Sequence, residues 1–143
     1  LWVDPYFRLA PPKSTGPEHF NERWLTERLG RKWRRRLPDT LATLTYFTAF
    51  TIAEGYRRFV SVALREVIVS GGGARNRTLM RHLTQLLAPT PVRSVERYGL
   101  PVQAKEPVAF ALLALRAIHG QVNHLPATTG AQSACLLGAI TPA

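Results

Sequence analysis

Three consecutive glycines, Gly71, Gly72 and Gly73, stand between an apolar, β-branched run and a helix-like pattern in EVIVSGGGARNRTLMRHL, residues 66–83. A strand that feeds a glycine turn and then a helix start presents free amides and the positive end of the helix dipole. Glycine also lets a ligand approach the main chain. That is chemistry for an anion or a nucleotide; the other reading is a tight strand-to-helix turn with no ligand. Asn76 is placed to cap the helix that follows. Two familiar phosphate motifs do not fit. The dinucleotide fingerprint needs glycine or alanine where Asn76 stands, although Glu96 lies at the distance of a ribose contact. The P-loop pattern fails at PPKSTG, because Lys13 lacks the required glycine spacing ahead of it.

Two other groupings carry chemistry. Lys13, Ser14 and Thr15 offer a cation and two hydroxyls in a loop stiffened by prolines. Such a loop holds a phosphate or a sugar, or caps the helix beyond Pro17. Lys105 and Glu106 open an apolar segment, LPVQAKEPVAFALLA. An acid at a helix start is stabilised by the dipole; alternatively, Glu106 binds substrate hydroxyls. His82, His119 and His124 have no metal-ligand spacing, and no Ser/His/Asp set is supported, so no metal ligand is assigned. The single cysteine, Cys135, excludes an internal disulfide and a zinc set and fits a reducing compartment. Its apolar neighbours in SACLLGAI mark it as a buried small hydrophobe rather than a nucleophile.

The elements that must position these groups follow from periodicity. Residues 1–17 read as an irregular lead-in. Residues 18–29 place Phe20, Trp24, Leu25 and Leu29 at helical spacing, with Gly30 as the stop. Residues 40–64 form the longest helical segment. Its first half, with Leu41, Leu44, Phe47, Phe50 and Ile52, is apolar nearly all round and expected to be buried on several sides. Its second half, with Arg57 and Arg58, should face solvent. Residues 66–70 read as a buried strand. Residues 76–87 are an amphipathic helix, with Leu79, Met80, Leu83, Leu86 and Leu87 opposite Arg77, Arg81 and Gln85. Residues 91–95 are a second short strand, and 105–119 a third long helix, uncharged over 107–115 and expected to be largely buried. Gly120 ends it, NHLPATTGA is a loop, and the apolar tail 135–140 has no assignable type. Alternating helices and strands imply an α/β layer with parallel strands. Two strands are too few for the helices that should rest on them. That deficit, and a chain that opens at Leu1 rather than methionine, lead us to expect part of a larger protein.

At 143 residues and 45% hydrophobic content, one domain with a packed core is expected. The formal net charge is +10, concentrated in ERLGRKWRRRLP. A basic run can meet nucleic acid or anionic lipid. No nucleic-acid motif or spaced aromatic set accompanies it, so a solvated, Arg-rich helix end is the preferred reading. No signal peptide is visible, and the uncharged stretches fall short of the about 20 apolar residues of a membrane span. The expected setting is soluble and intracellular.

Four stretches, DPYFRLAPPKSTGPEHFN, SGGGARNRTLMRHL, LPVQAKEPVAFALLALRAIHG and LPATTGAQSACLLGAI, resemble the anhydro-N-acetylmuramic acid kinases in order and spacing and span almost the whole chain. The pairing of K-S-T-G with a downstream G-G-G-A-R-N is the specific combination. A glycine triplet alone is common to sugar kinases of the same superfamily. The resemblance implies an α/β fold, the partial C-terminal lobe of an actin-, hexokinase- and Hsp70-like (ribonuclease H-like) ATPase, helix-rich with a small, mainly parallel sheet. The chain would be a single partial domain over residues 1–143. The N-terminal lobe, a D-T-G-P-G-N segment and the catalytic aspartate would lie upstream, so this piece alone is not expected to turn over.

The implied reaction opens the 1,6-anhydro bond of anhydro-N-acetylmuramic acid with activated water while O6 takes the γ-phosphoryl of ATP. The product is N-acetylmuramic acid 6-phosphate, in peptidoglycan recycling in the cytoplasm. By the family pattern, Gly71, Gly72, Gly73 and Asn76 line the nucleotide and Glu106 meets the sugar. Lys13, Ser14 and Thr15 match the family's loop and are assigned to the substrate. ATP and Mg²⁺ are the implied cofactors; the amino sugar, the missing lobe and a second copy of the chain are the candidate partners, with no membrane. The family usually has Asn-Leu-Pro where this chain has His124, Leu125 and Pro126, often Ser-Val-Thr-Gly where it has residues 127–130, and commonly Arg at Pro17. The alternatives are another sugar kinase or ATPase of the superfamily, and a basic nucleic-acid-binding module.

Overall fold

The computed structural model describes residues 1–141. Its helices are α1 (Glu22–Leu29), α2 (Leu37–Phe59), α3 (Arg77–Leu86), α4 (Lys105–Ile118) and the single turn α5 (Pro126–Thr129). Its strands are β1 (Val67–Val69) and β2 (Val92–Ser94), paired in parallel with Val67 opposite Val92, Ile68 opposite Arg93 and Val69 opposite Ser94. Short 3₁₀ turns cover Pro5–Arg8, Arg31–Arg36, Gly72–Arg75 and Val95–Tyr98. The chain is therefore helix-rich α/β with a small parallel sheet, as the sequence implied.

Local chemistry explains most element ends. The Asn21 side chain accepts from the Trp24 amide at 3.0 Å and starts α1, four residues later than its periodicity suggests. Gly30, at φ 76°, stops it. The left-handed backbone there is open to glycine at no steric cost. Gly120, at φ 63°, follows α4 in the same way.

The core is where α2, α3 and β1 meet. Ala49 and Ala53 lie one turn apart on α2 and are fully buried, clustered with the buried Val67, Leu83 and Leu87. Two small side chains on one face let α3 approach α2 closely. Leu79, Met80, Leu86 and Val92 pack around them. The amphipathic reading of α3 thus holds, with Arg77, Arg81 and Gln85 exposed. A second, aromatic cluster fastens the N-terminal segment to α1 and the first half of α2. Phe7 meets Phe47 edge-on at 5.3 Å, Trp2 meets Phe50 at 5.0 Å, and Phe20 meets Trp24 at 5.0 Å.

Four burial expectations are corrected. The first half of α2 is not enclosed: Leu41 and Ile52 are exposed, because α3 covers one face and the aromatic cluster another, with no third layer among the described residues. β1 is covered on one face only, so Val67 is buried while Ile68 on the opposite face is 49% exposed. Helix α4 buries none of its residues, and Phe110 and Ile118 are about 70% exposed. Two strands of three residues offer too little sheet to cover it. Cys135 is likewise exposed, since residues 135–140 have no layer over them among the described residues.

Candidate functional site

Both strands point their C-terminal ends toward the glycine turn and the loop after β2. In parallel α/β sheets, ligands gather at that edge. Gly71 leaves β1 with φ 78° and ψ −174°, a region essentially confined to glycine. Its amide donates to the Val102 carbonyl at 2.7 Å, and Val102 is fully buried. That bond draws the loop after β2 back across the turn and delivers the start of α4 beside it. The result is a pocket of about 230 Å³ lined by Gly71, Gly72, Val102, Gln103, Lys105 and Glu106. This lies below the about 300–1,000 Å³ usual for small-molecule clefts, so these residues form one wall of a site.

The three glycines stand in three different settings. Gly71 is required by its backbone angles. A Cβ on Gly73 would sit 3.4 Å from Leu79 Cδ2, at the edge of ordinary van der Waals contact with the end of a flexible side chain. A Cβ on Gly72 would meet nothing within 4 Å among the described residues, and its φ is an ordinary one. Neither strain nor a protein neighbour accounts for glycine at Gly72.

Asn76 caps α3: its Oδ1 accepts from the Thr78 and Leu79 amides at 3.1 Å each. The Thr78 and Leu79 amides of that helix are therefore already satisfied and are not free to cradle a phosphate. Positive charge near the turn comes instead from Arg75 and Arg77, both exposed, and from Lys105 in the pocket wall. Sequence spacing alone assigns Lys105 no role beside Glu106. Its position became legible only when the Gly71–Val102 bond placed the start of α4.

Of the substrate-side residues, Glu106 shares the pocket with Gly71 and Gly72. Lys13, Ser14 and Thr15 do not line it. They sit in a separate loop, where Lys13 Nζ donates to the Tyr6 carbonyl at 3.2 Å and lies 4.6 Å from the Tyr6 ring centroid. The Ser14 and Thr15 side chains are exposed.

The residue that sequence reasoning missed is Asp4, only 2% exposed. Its carboxylate accepts from the Tyr6 amide (3.0 Å), His19 Nε2 (3.1 Å), Trp24 Nε1 (2.7 Å) and Arg28 Nη2 (3.1 Å). Burial alone would raise its pKa, but the hydrogen bonds from Trp24, the Tyr6 amide, His19 and Arg28 outweigh burial and hold it at about 2. The only sequence signal was Asp directly before Pro5, a helix-cap pattern.

No group of three or more His, Cys, Asp or Glu side chains converges among the described residues. Mg²⁺ in phosphoryl-transfer sites is held by one or two carboxylates plus the substrate's phosphates. The pocket wall has one carboxylate, Glu106, which meets the lower end of that range only together with the phosphates of a bound nucleotide. Among the described residues, no helix is long and apolar enough to cross a membrane.

The family model for anhydro-N-acetylmuramic acid kinase matches residues 1–143. Curated relatives named anhydro-N-acetylmuramic acid kinase include one from Salinibacter ruber, 41% identical over 140 residues, covering 95% of this chain and 35% of the relative. One from Synechococcus elongatus is 42% identical over 138 residues, covering 96% and 36%. One from Mannheimia succiniciproducens is 41% identical over 148 residues, covering 99% and 40%. The chain thus spans between about a third and two fifths of the length of these relatives.

Proposed function

Because this chain belongs to the anhydro-N-acetylmuramic acid kinase family, we propose that it supplies the nucleotide-facing wall, and part of the sugar site, of an ATP-dependent kinase. The reaction adds water at C1 of anhydro-N-acetylmuramic acid, breaks the C1–O6 anhydro bond and transfers a phosphoryl group to O6. The product, N-acetylmuramic acid 6-phosphate, serves cytoplasmic recycling of cell-wall sugar. The observation that carries this reading is the shared pocket: the glycine turn and Glu106, distant in sequence, form one wall.

Each residue then has a role. Gly71 shapes the turn, and Gly72 leaves room for a phosphate or ribose to approach the main chain. Gly73 and Asn76 hold α3 behind that surface. Lys105 sets a cation beside the transferring phosphoryl, where fixed charge lowers the barrier. Glu106 accepts hydrogen bonds from sugar hydroxyls. Lys13, Ser14 and Thr15 contact the sugar from the second loop. ATP supplies the γ-phosphoryl when bound. The base that activates water is assigned to the part of the family's length that this chain does not span. By the same reading, residues 1–143 are one partial domain, the C-terminal lobe of an actin- and hexokinase-like ATPase. The uncovered faces of α4 and β1 support that assignment, since a larger sheet would cover them.

The test is a kinase assay of the full-length enzyme carrying this chain, with anhydro-sugar and ATP. Glu106→Ala is expected to lower kcat/KM for the sugar about 10- to 100-fold, the worth of a charged hydrogen bond. Unchanged activity would remove Glu106 from the site. A full-length enzyme that forms no sugar phosphate would remove the assignment.

A further inference from the structure

Asp4 divides its two carboxylate oxygens between two tasks. Oδ1 accepts from the Tyr6 amide at 3.0 Å and from His19 Nε2 at 3.1 Å. Tyr6 and His19 stand at the two ends of the stretch that contains Lys13, Ser14 and Thr15. Oδ2 accepts from Trp24 Nε1 at 2.7 Å and from Arg28 Nη2 at 3.1 Å, both on α1. One buried carboxylate thus closes the loop at its base and fastens the closed loop to a helix. The hold extends further from Tyr6, whose carbonyl takes a hydrogen bond from Lys13 Nζ and whose ring lies beneath it. At the loop's far side, a Cβ on Gly130 would meet Pro12 Cγ at 3.4 Å, so the turn after α5 abuts it. The Ser14 and Thr15 hydroxyls have no hydrogen-bond partner among the described residues and face outward.

We infer that Asp4 is the positioning residue for the loop of Lys13, Ser14 and Thr15, holding it open-faced for a polyhydroxylated ligand while touching no ligand itself. The inference rests on the substrate-side role proposed above for that loop. A fastened loop meets its ligand already ordered. A released loop must be ordered by the ligand, and the apparent affinity falls by the fraction of molecules with the loop in place. Asparagine at this position keeps one acceptor oxygen and replaces the other with an NH₂ that faces donors. Either the Tyr6–His19 pair or the Trp24–Arg28 pair then loses its acceptor.

The experiment uses the full-length enzyme carrying this chain. Asp4→Asn is expected to raise KM for the anhydro-sugar about 10- to 100-fold while KM for ATP stays within about twofold. His19→Gln, which keeps a donor at a half-exposed position, should move the same constant less. Trypsin cleavage after Lys13, followed by mass spectrometry against cleavage after Arg77, should be accelerated selectively in Asp4→Asn. A proportional loss with both substrates would assign Asp4 to general stability and overturn the inference, as would an unchanged sugar KM with unchanged cleavage at Lys13. If Asp4→Asn does not fold, His19→Ala decides: an unmoved sugar KM and cleavage rate overturn the inference. If the wild-type enzyme forms no sugar phosphate, the proposed function fails, whereas the cleavage rates still report whether Asp4 holds the loop.

Discussion

Gly72→Ala separates a ligand-driven glycine from a structural one. The added Cβ meets no protein atom within 4 Å, and Gly72 lies in the 3₁₀ turn at a φ that alanine adopts freely. Alanine there should leave stability unchanged or raise it by about 0.4–1 kcal/mol, because the unfolded chain loses freedom. If a nucleotide packs on this stretch of main chain, the methyl occupies its contact surface. Overpacking a close contact costs about 1–3 kcal/mol, which corresponds to about 5- to 150-fold in KM for ATP. Gly71→Ala is the matched control. Its Cβ is equally unobstructed, but φ 78° with ψ −174° is a glycine region, so alanine there should cost about 1–3 kcal/mol of stability. Thermal melts and ADP-release kinetics on the two variants therefore diverge. Gly72→Ala should be stable and impaired for ATP; Gly71→Ala should be destabilised. A Gly72→Ala enzyme with normal ATP kinetics would refute the argument that the turn faces the nucleotide. A Gly72→Ala enzyme that melts early would refute the account of the turn itself.

The cap and the buried carboxylate give two more outcomes. Asn76→Ala removes the acceptor for the Thr78 and Leu79 amides and should cost about 1 kcal/mol in a urea titration. No loss would mean that solvent or a ligand serves those amides equally well. For Asp4, the folded pKa of about 2 lies below the ordinary value of 3.8, so its contribution is complete above about pH 4 and is lost as pH falls toward 2. The lowering is worth about 2 kcal/mol. Urea midpoints should fall over that window in the wild type and fall less in Asp4→Asn; parallel acid limbs would exclude Asp4 as a source of acid lability.

What the sequence made legible is what neighbours in the chain decide. The capping of α3 by Asn76 depends on residues two and three positions on, and the Leu83 face of α3 repeats within one helix. Gly30 and Gly120 act at the ends they follow. The order of helices and strands is legible for the same reason. Burial is different, because an apolar residue records a preference for cover and not the presence of cover. Phe110 and Ile118 carry the signal of a buried helix, yet the sheet that would satisfy it amounts to two three-residue strands. Cys135 has the same preference and the same outcome. Asp4 was illegible for a related reason. Its donors stand 2, 15, 20 and 24 positions away, and only the folding of α1 onto the N-terminal segment brings them to one carboxylate.

The glycine triplet shows how one sequence feature can carry separate causes. Read as a string, it implies one demand made three times: space along the main chain. In the fold, Gly71 answers to backbone angles, a Cβ at Gly73 would touch the end of the Leu79 side chain, and Gly72 answers to neither. Space is therefore an argument at Gly72 alone, and the nucleotide reading rests on that position together with the nearby Lys105 and Glu106. A generic cradle would also draw on free amides at the start of α3, and Asn76 has taken two of them, those of Thr78 and Leu79. If phosphate binds at this turn, side-chain charge from Lys105, Arg75 and Arg77 contributes beside the amides that Asn76 leaves free. Raised ionic strength should weaken it accordingly.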